Sequence, residues 1–349
     1  MENGFADNRF ALKEHRVQIE NLPLAKIDLD SPEWQQYVFT YPATPGPLLD
    51  SVRAVGLQQP LAVTPAGRGF KLVIGVKRAL ACRRLDWKEV PALVLRDKTE
   101  EELLWYSLHE QVGGRPLNAV EKSRVLQRFA ELWKGDLERL QNDVCPLLGL
   151  PPTIEAVESY LFLHEMPEEQ QHELAEGRLT PQHTDLLRPL RPDDRRFAAE
   201  RLFGGHRVSL QEAREILENA NGLAARDGAR LRDIFDRPEV KELFVRDNYT
   251  PKQRTTLLRT WLHQERYPQL SALEKKFEDL AATLAAGKKL SVRPPRDFEG
   301  DEIQVTFRAQ KPLEIREIVA ALSEAERKGV WKKLFALLQG ASDEGEEPF

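Results

Sequence analysis

The residues of this chain best placed to do chemistry are Gly75, Lys77 and Arg78, because they fall where a strand gives way to a helix. The first turn of a helix carries N–H groups with no helical acceptor, and the positive end of the helix dipole lies there too. Glycine at that turn lets a ligand come close to the backbone, and two basic side chains in the first turn add to the attraction. The arrangement suits a polyphosphate. A solvated basic helix start uses the same residue types, so the surrounding elements must decide between the two.

The strand is read from Phe70, Leu72 and Ile74, which alternate with Lys71 and Val73 at the period of a sheet with one face on a core. Before it, Leu48, Leu49, Val52 and Val55 form the apolar stripe of a helix that stops at Gly56. Thr99 and Glu102 make a capping box for a helix that carries Leu103, Leu104 and Leu108 and delivers Glu110 and Gln111 near its end. Gly113-Gly114-Arg115-Pro116 is expected to break that helix and act as a hinge. Asn118 and Glu121 then cap a helix faced by Val125, Leu126, Phe129, Leu132 and Trp133, and the chain reads all-helical to about residue 218. Leu147–Thr153 has the character of a helix-turn-helix turn, with a second helix over Ile154–His164. Thr180 followed by Pro181 is a further helix start, and Ser209 with Glu212 another capping box.

Asn219–Gly228 reads as a linker by composition, and residues 230–266 as helices without a usable motif. Beyond Pro268, Ser271 and Glu274 cap a helix with Leu273, Phe277, Leu280 and Leu284 on one face. Strands follow at Leu290–Val292 and Ile303–Phe307. Amphipathic helices then carry Ile315, Ile318, Val319 and Leu322, and later Trp331, Leu334, Phe335 and Leu338. These stripes exceed what about 70 residues can bury alone, which favours a dimer over a monomeric cap.

Three blocks in order resemble the ParB partition protein family. Gly56-Leu57-Gln58-Gln59-Pro60-Leu61-Ala62-Val63 is similar to the family's Gly-Leu-Leu-Gln-Pro strand. Gly75 to Pro91 (GVKRALACRRLDWKEVP) is similar to its Gly-Glu-Arg-Arg box and following Val-Pro-Ala strand. Glu110 to Glu121 (EQVGGRPLNAVE) is similar to its Glu-Asn-x-x-Arg and Leu-Asn-Pro-x-Glu motifs. The resemblance implies a multidomain α/β plus all-α protein. It consists of a tail (1–16), a sulfiredoxin-fold nucleotide-binding domain (17–112), a helical helix-turn-helix domain (113–218), a linker with helices (219–266), an α+β dimerisation module (267–340) and an acidic tail (341–349). It further implies CTP with Mg²⁺ as the ligand, a clamp that closes around DNA, a ParA-type ATPase partner touching the tail, and at most slow CTP hydrolysis. Gln59, Gly75, Lys77, Arg78, Gln111 and Arg115 take the nucleotide-binding positions, with Glu110 and Gln111 as oxygen ligands for the metal and Glu110 as the catalytic carboxylate.

The chain departs from the family at several positions. Val76 and Lys77 replace Glu and Arg, and Lys brings charge without the bidentate fork of Arg. Ala79 and Leu80 replace an aromatic and an Arg, Gln111 is one methylene longer than Asn, and Arg115 sits one place late behind two glycines. In sulfiredoxin the catalytic Cys follows the glycine, where this chain has Val76. Cys82 lies two turns further on among Leu80, Ala81 and Leu85, as a packed thiol would.

The helix-turn-helix segment carries an unexpected charge. From Leu140 to Gly177 there is no Lys or Arg, while Asp143, Glu155, Glu158, Glu165, Glu168, Glu169, Glu173 and Glu176 fall in the same span. DNA affinity comes chiefly from neutralised phosphates, so specific reading is expected to be weakened. Basic residues return at Arg178, Arg188, Arg191, Arg195, Arg196, Arg201 and Arg207. The DNA-contact candidates are Thr153, Arg178, Thr180, Gln182, His183 and Arg188, the alternative being a salt-bridged solvated surface.

Composition sets outer limits. With 349 residues, 41% hydrophobic and 31% charged, the chain has core material for two to four domains, and its net charge of −5 excludes a polymer-binding protein that is basic all over. Two cysteines make neither a disulfide framework nor a metal cluster. No apolar run approaches the ~18 residues of a membrane span and the N-terminus lacks a signal-peptide pattern, so no membrane association and a cytoplasmic location are expected, which the resemblance makes nucleoid-associated if DNA is bound. Besides the ParB-type switch, two other roles fit these residues: a nucleotide-controlled scaffold that binds no specific DNA, and a small-molecule, serine-type kinase or phosphohydrolase with Glu110 as base.

Overall fold

The computed structural model describes residues 19–31, 33–203, 208–245, 249–284 and 290–339. The expected ParA-contacting tail (1–16), Arg207 and the acidic tail from Ser342 lie outside them. The chain divides into two compact units, Met1–Leu210 and Gln211–Phe349.

The first unit opens with a sheet and its helices: β1 (Ile19–Pro23), β2 (Ile27–Asp28), α1 (Leu48–Val55), β3 (Leu61–Ala66), β4 (Gly69–Ile74), α2 (Val76–Arg84), β5 (Glu89–Val94) and α3 (Glu100–Gly114). The five strands run in the order β1-β5-β3-β4-β2, with β1–β5 and β3–β4 antiparallel and β3–β5 and β2–β4 parallel. Central β3 buries Leu61, Ala62 and Val63 in succession, as a strand covered on both faces must. The half-exposed alternation expected of β4 is corrected at its end, where Leu72, Val73 and Ile74 are all buried. One face packs Leu61, Val63 and Leu72 against Val76, Ala79 and Cys82 of α2, and the other packs Ala62 and Val73 against Leu104 and Leu108 of α3.

That second core does not stop at α3. It continues into Val125, Leu126 and Phe129 of α4 (Ala119–Leu132), Leu140 of a π turn after α5 (Leu137–Arg139), and Val157 of α6 (Ile154–Phe162). The unit is completed by α7 (Glu168–Ala175), α8 (Pro181–Asp185) and α9 (Pro192–Phe203). The glycine break expected at 113–116 is displaced, because Gly113 and Gly114 are the last residues of α3 and the chain leaves the helix at Arg115. Each helical glycine costs about 1 kcal/mol against alanine. A strong anchor offsets that cost: the guanidinium of Arg115 forks onto the fully buried carboxylate of Glu121, with Nη1 at 2.8 Å. Glu121 also accepts from the backbone N–H of Asn118 and of Tyr41, both at 3.0 Å, closing the capping box of α4 and tying in the loop before α1.

In the second unit, α10 (Leu210–Asp227) corrects the linker expected over Asn219–Gly228. Asn219, Ala220, Leu223 and Ala224 are buried, so tertiary packing overrides the weak propensity of Asn-Ala-Asn-Gly. Arg266 fixes the segment by donating to the Glu218 carbonyl at 2.7 Å and to Asn219 Oδ1 at 3.0 Å. There follow α11 (Leu231–Phe235), α12 (Pro238–Val245), α13 (Pro251–Arg266) and α14 (Pro268–Ala282), then the hairpin of β6 (Leu290–Arg293) and β7 (Gln304–Phe307), and α15 (Pro312–Arg327) and α16 (Val330–Leu338). A small core joins Phe277, Leu290, Ile318 and Leu334. Every residue of β7 is exposed, and so are Leu313, Ile315 and Val319 on α15.

Glu121→Ala removes a buried acceptor of four hydrogen bonds. We expect it to lower stability by about 2–3 kcal/mol, the low end for a buried ion because half-exposed Arg115 can turn to water. Urea unfolding followed by tryptophan fluorescence checks this, and a loss below about 0.5 kcal/mol would contradict the role of the anchor.

Candidate functional site

The site is built at the β4–α2 turn. Gly75 adopts φ 98° and ψ 31° as the N-cap of α2, with no side chain capping the helix and no acid in its first turn. The first helical bond runs from Ala79 N to the Gly75 carbonyl at 2.9 Å, so the amides of the first turn have no acceptor within the helix. Any residue with a Cβ is disfavoured on two counts at position 75. Left-handed backbone is strained for L side chains, and a Cβ would stand 2.9 Å from Leu61 Cδ2 and 3.1 Å from Arg78 Nε.

Arg78 does not project into water. Its Nη1 donates to the carbonyls of Gln59 at 3.0 Å and Pro60 at 2.8 Å, and its Nη2 lies 3.9 Å from Glu110 Oε1. Its side chain is 16% exposed. Burial lowers its pKa from the usual guanidinium range, and the Glu110 carboxylate partly opposes that shift. Gln59, Gly75, Arg78 and Glu110 are therefore brought together: the segment before β3, the helix start and the end of α3 share one guanidinium. Lys77 is half-buried in the same first turn of α2. The Gln59 side chain is exposed, and its contribution to the cluster is its backbone carbonyl.

Gln111 and Arg115 turn elsewhere. Adjacent helical residues do not share a face. Gln111 donates to Ser107 Oγ at 3.1 Å and accepts from Thr40 Oγ1 at 3.4 Å, and Ser107 in turn donates to the Tyr37 carbonyl at 2.7 Å. Arg115 belongs to the Glu121 anchor, whose hydrogen bond raises its pKa. The sequence reading missed the loop carrying Tyr37, Val38 and Phe39, all buried, which forms the wall met by Gln111. The apolar run Tyr-Val-Phe in Tyr37–Phe39 was the available signal. Among the described residues no cluster of three His, Cys, Asp or Glu side chains could hold a metal ion, and Glu110 is the lone carboxylate facing Arg78. One carboxylate fits Mg²⁺ only when phosphate oxygens and water supply the remaining ligands. Cys82 is fully buried and burial raises its thiol pKa, the opposite of a redox nucleophile.

The helix-turn-helix candidates are placed around α6 and α8. Thr153 caps α6, accepting from Ala156 N at 3.2 Å. Thr180 caps α8 with His183, whose Nδ1 is 2.9 Å from Thr180 Oγ1; His183 is buried edge-on against Phe203, and burial lowers its pKa. Gln182 is exposed. Arg178 pairs with Glu173 at 2.7 Å and with Glu176, and Arg188 pairs with Glu158 at 2.7 Å.

The profile of the ParB N-terminal domain family matches residues 11–112. The chromosome-partitioning protein Spo0J of Thermus thermophilus is 34% identical over 186 residues, 53% of this chain and 60% of that protein. A nucleoid occlusion protein of Bacillus pumilus is 29% identical over 146 residues, 41% of this chain and 48% of its own. The chain thus spans less than two thirds of the length of either relative. Among solved structures, a C-terminally truncated chromosome-partitioning protein ParB from Caulobacter crescentus complexed with CTP-γ-S is 22% identical, with a TM-score of 0.22, over 50% of this chain and 94% of that one. Fold class agrees with the expectation: a multidomain protein with a mixed α/β sheet domain followed by helices.

Proposed function

We propose that this chain, a ParB-like protein through the match of residues 11–112, is a nucleotide-gated DNA-partition protein whose ligand is CTP carrying Mg²⁺. The observation that carries this reading is the convergence of Gly75, Arg78 and Glu110 on an uncapped helix start. The triphosphate would lie against the first-turn amides of α2 with Lys77 and Arg78 as counter-charges. Glu110 and the phosphates would share the metal, so the metal arrives with the nucleotide. Arg78 then exchanges its carbonyl acceptors Gln59 and Pro60 for phosphate oxygens, and that exchange links ligand binding to the segment before β3. Gln111 and Arg115 would act on the hinge rather than on the ligand.

Association with DNA, homodimerisation through the second unit, a ParA-type partner and a cytoplasmic location complete the reading. Among the described residues no helix is long and apolar enough to cross a membrane. The exposed apolar pair Ile315 and Val319, one turn apart on α15, supports self-association. A second reading, a nucleotide-controlled scaffold that binds no specific DNA, is favoured by the acidic α6 and the ion pairs that occupy Arg178 and Arg188. The kinase or phosphohydrolase reading is weaker, because the carboxylate it needs as base faces a guanidinium.

Calorimetric titration with CTP, ATP and GTP in Mg²⁺ should give CTP-selective binding that Arg78→Ala weakens by at least about tenfold, the size of one charge-assisted bidentate contact. Lack of binding by any nucleotide would leave the scaffold. Sedimentation should convert a dimer to a monomer in the Ile315→Glu, Val319→Glu variant; an unchanged mass would remove this pair from the interface.

A further inference from the structure

The helices after α5 enclose an open groove between α6 and the segment from α8 to α9, floored by Phe162 and rimmed by Glu158, Glu165, Asp185, Arg188 and Arg195. Its two arginines are linked through the backbone, because Arg195 Nη2 donates to the carbonyl of Arg188 at 2.8 Å. Each guanidinium meets a carboxylate from α6 or from the 3-10 turn that follows it. Glu158 Oε2 is 2.7 Å from Arg188 and Glu165 Oε2 is 2.9 Å from Arg195, with Asp185 3.7 Å from Arg188.

Three features indicate that these pairs do something other than hold the fold. Glu158 and Glu165 are 44% and 58% exposed, and solvent-exposed pairs of this kind contribute little to stability. Arg195 is positioned independently of Glu165, by the carbonyls of Leu190 and Arg188 and by stacking over the Phe162 ring at 5.2 Å. Glu158 comes from α6 and Glu165 from the 3-10 turn that follows it (Leu163–Glu165), while both bases come from the facing segment, so the carboxylates meet the guanidiniums across the groove. The rim holds three carboxylates against two guanidiniums, a net of −1, and losing Glu158 and Glu165 would turn it to +1.

We propose that Arg188 and Arg195 form a phosphodiester-binding pair that Glu158 and Glu165 hold in check as built-in competing anions. This rests on the reading that the chain is DNA-associated. A DNA backbone must displace the two carboxylates, so duplex binding through this groove is weak and strongly salt-dependent in the wild type. Planar guanidinium forks suit phosphate as well as carboxylate, which is what allows the exchange.

The test is fluorescence anisotropy with a labelled random-sequence duplex across a salt series. It compares the full chain, the Glu158→Gln, Glu165→Gln double variant, and that variant with Arg188→Ala added, with circular dichroism confirming that each is folded. The double variant should bind roughly tenfold tighter at low salt, with a log–log salt slope steeper by about two, and Arg188→Ala should reverse most of the gain. Unchanged duplex affinity in the folded double variant would overturn the proposal, as would a gain that survives Arg188→Ala. A gain seen only for a poly-glutamate chain would overturn it too, by assigning the groove to an acidic protein. CTP binding is read separately. If the wild type binds CTP but the double variant gains no duplex affinity, the groove proposal fails while the nucleotide reading stands; the reverse result separates them the other way.

Discussion

The left-handed backbone of Gly75 is the constraint on which the rest of the candidate site depends. At φ 98° the chain turns out of β4 and starts α2 while leaving the space that Arg78 needs to reach back to Gln59 and Pro60. An L residue there would carry a backbone penalty of roughly 1–2 kcal/mol. It would also meet Leu61 at 2.9 Å, in a core that has no slack to give. The same turn leaves the first amides of α2 without acceptors within the helix, so one backbone conformation both positions the cation and leaves the helix start uncapped.

The second determinant is α3, which delivers Glu110 to that cation and Gln111 to the Thr40 side of the molecule. Its position is not set by the sheet alone. The helix shares one apolar core with β4 and with α4 and α6, and its C-terminus is locked by Arg115 on Glu121. A change in the partners of Arg78 acts on Glu110, in the same C-terminal part of α3 that Arg115 locks to Glu121 at the junction with α4. The two glycines inside the last turn of α3 make that junction the place where the helix can yield most easily.

Much of this was legible in the residues. Capping boxes at Thr99 and Asn118 set the starts of α3 and α4, and the Gly75 turn with its basic first turn was visible as a strand giving way to a helix. Side-chain direction was not legible. Adjacent Glu110 and Gln111 look like one ligand set in sequence but diverge on a helix, and Arg115 looks like a phosphate contact until its buried partner Glu121 is seen. Asn219–Gly228 has linker composition, yet buried Leu223 and the grip of Arg266 make it helix. In the last case a contact distant in sequence overrode a local signal, whereas Arg115 was captured by an acid only six residues on. The charge of α6 and the turn after it was legible, but its pairing with Arg188 and Arg195 was not, because the partners lie about 30 positions away.

The central claim is that one guanidinium links an uncapped helix start, the segment before β3 and the end of α3 into a nucleotide-responsive cluster. Amide hydrogen exchange with and without CTP and Mg²⁺ reads it most directly. The account predicts added protection at Val76, Lys77 and Arg78, together with altered exchange over Gln58–Leu61 and around Arg115. Protection confined to other segments, or no change at the α2 start in the presence of saturating CTP, would contradict it.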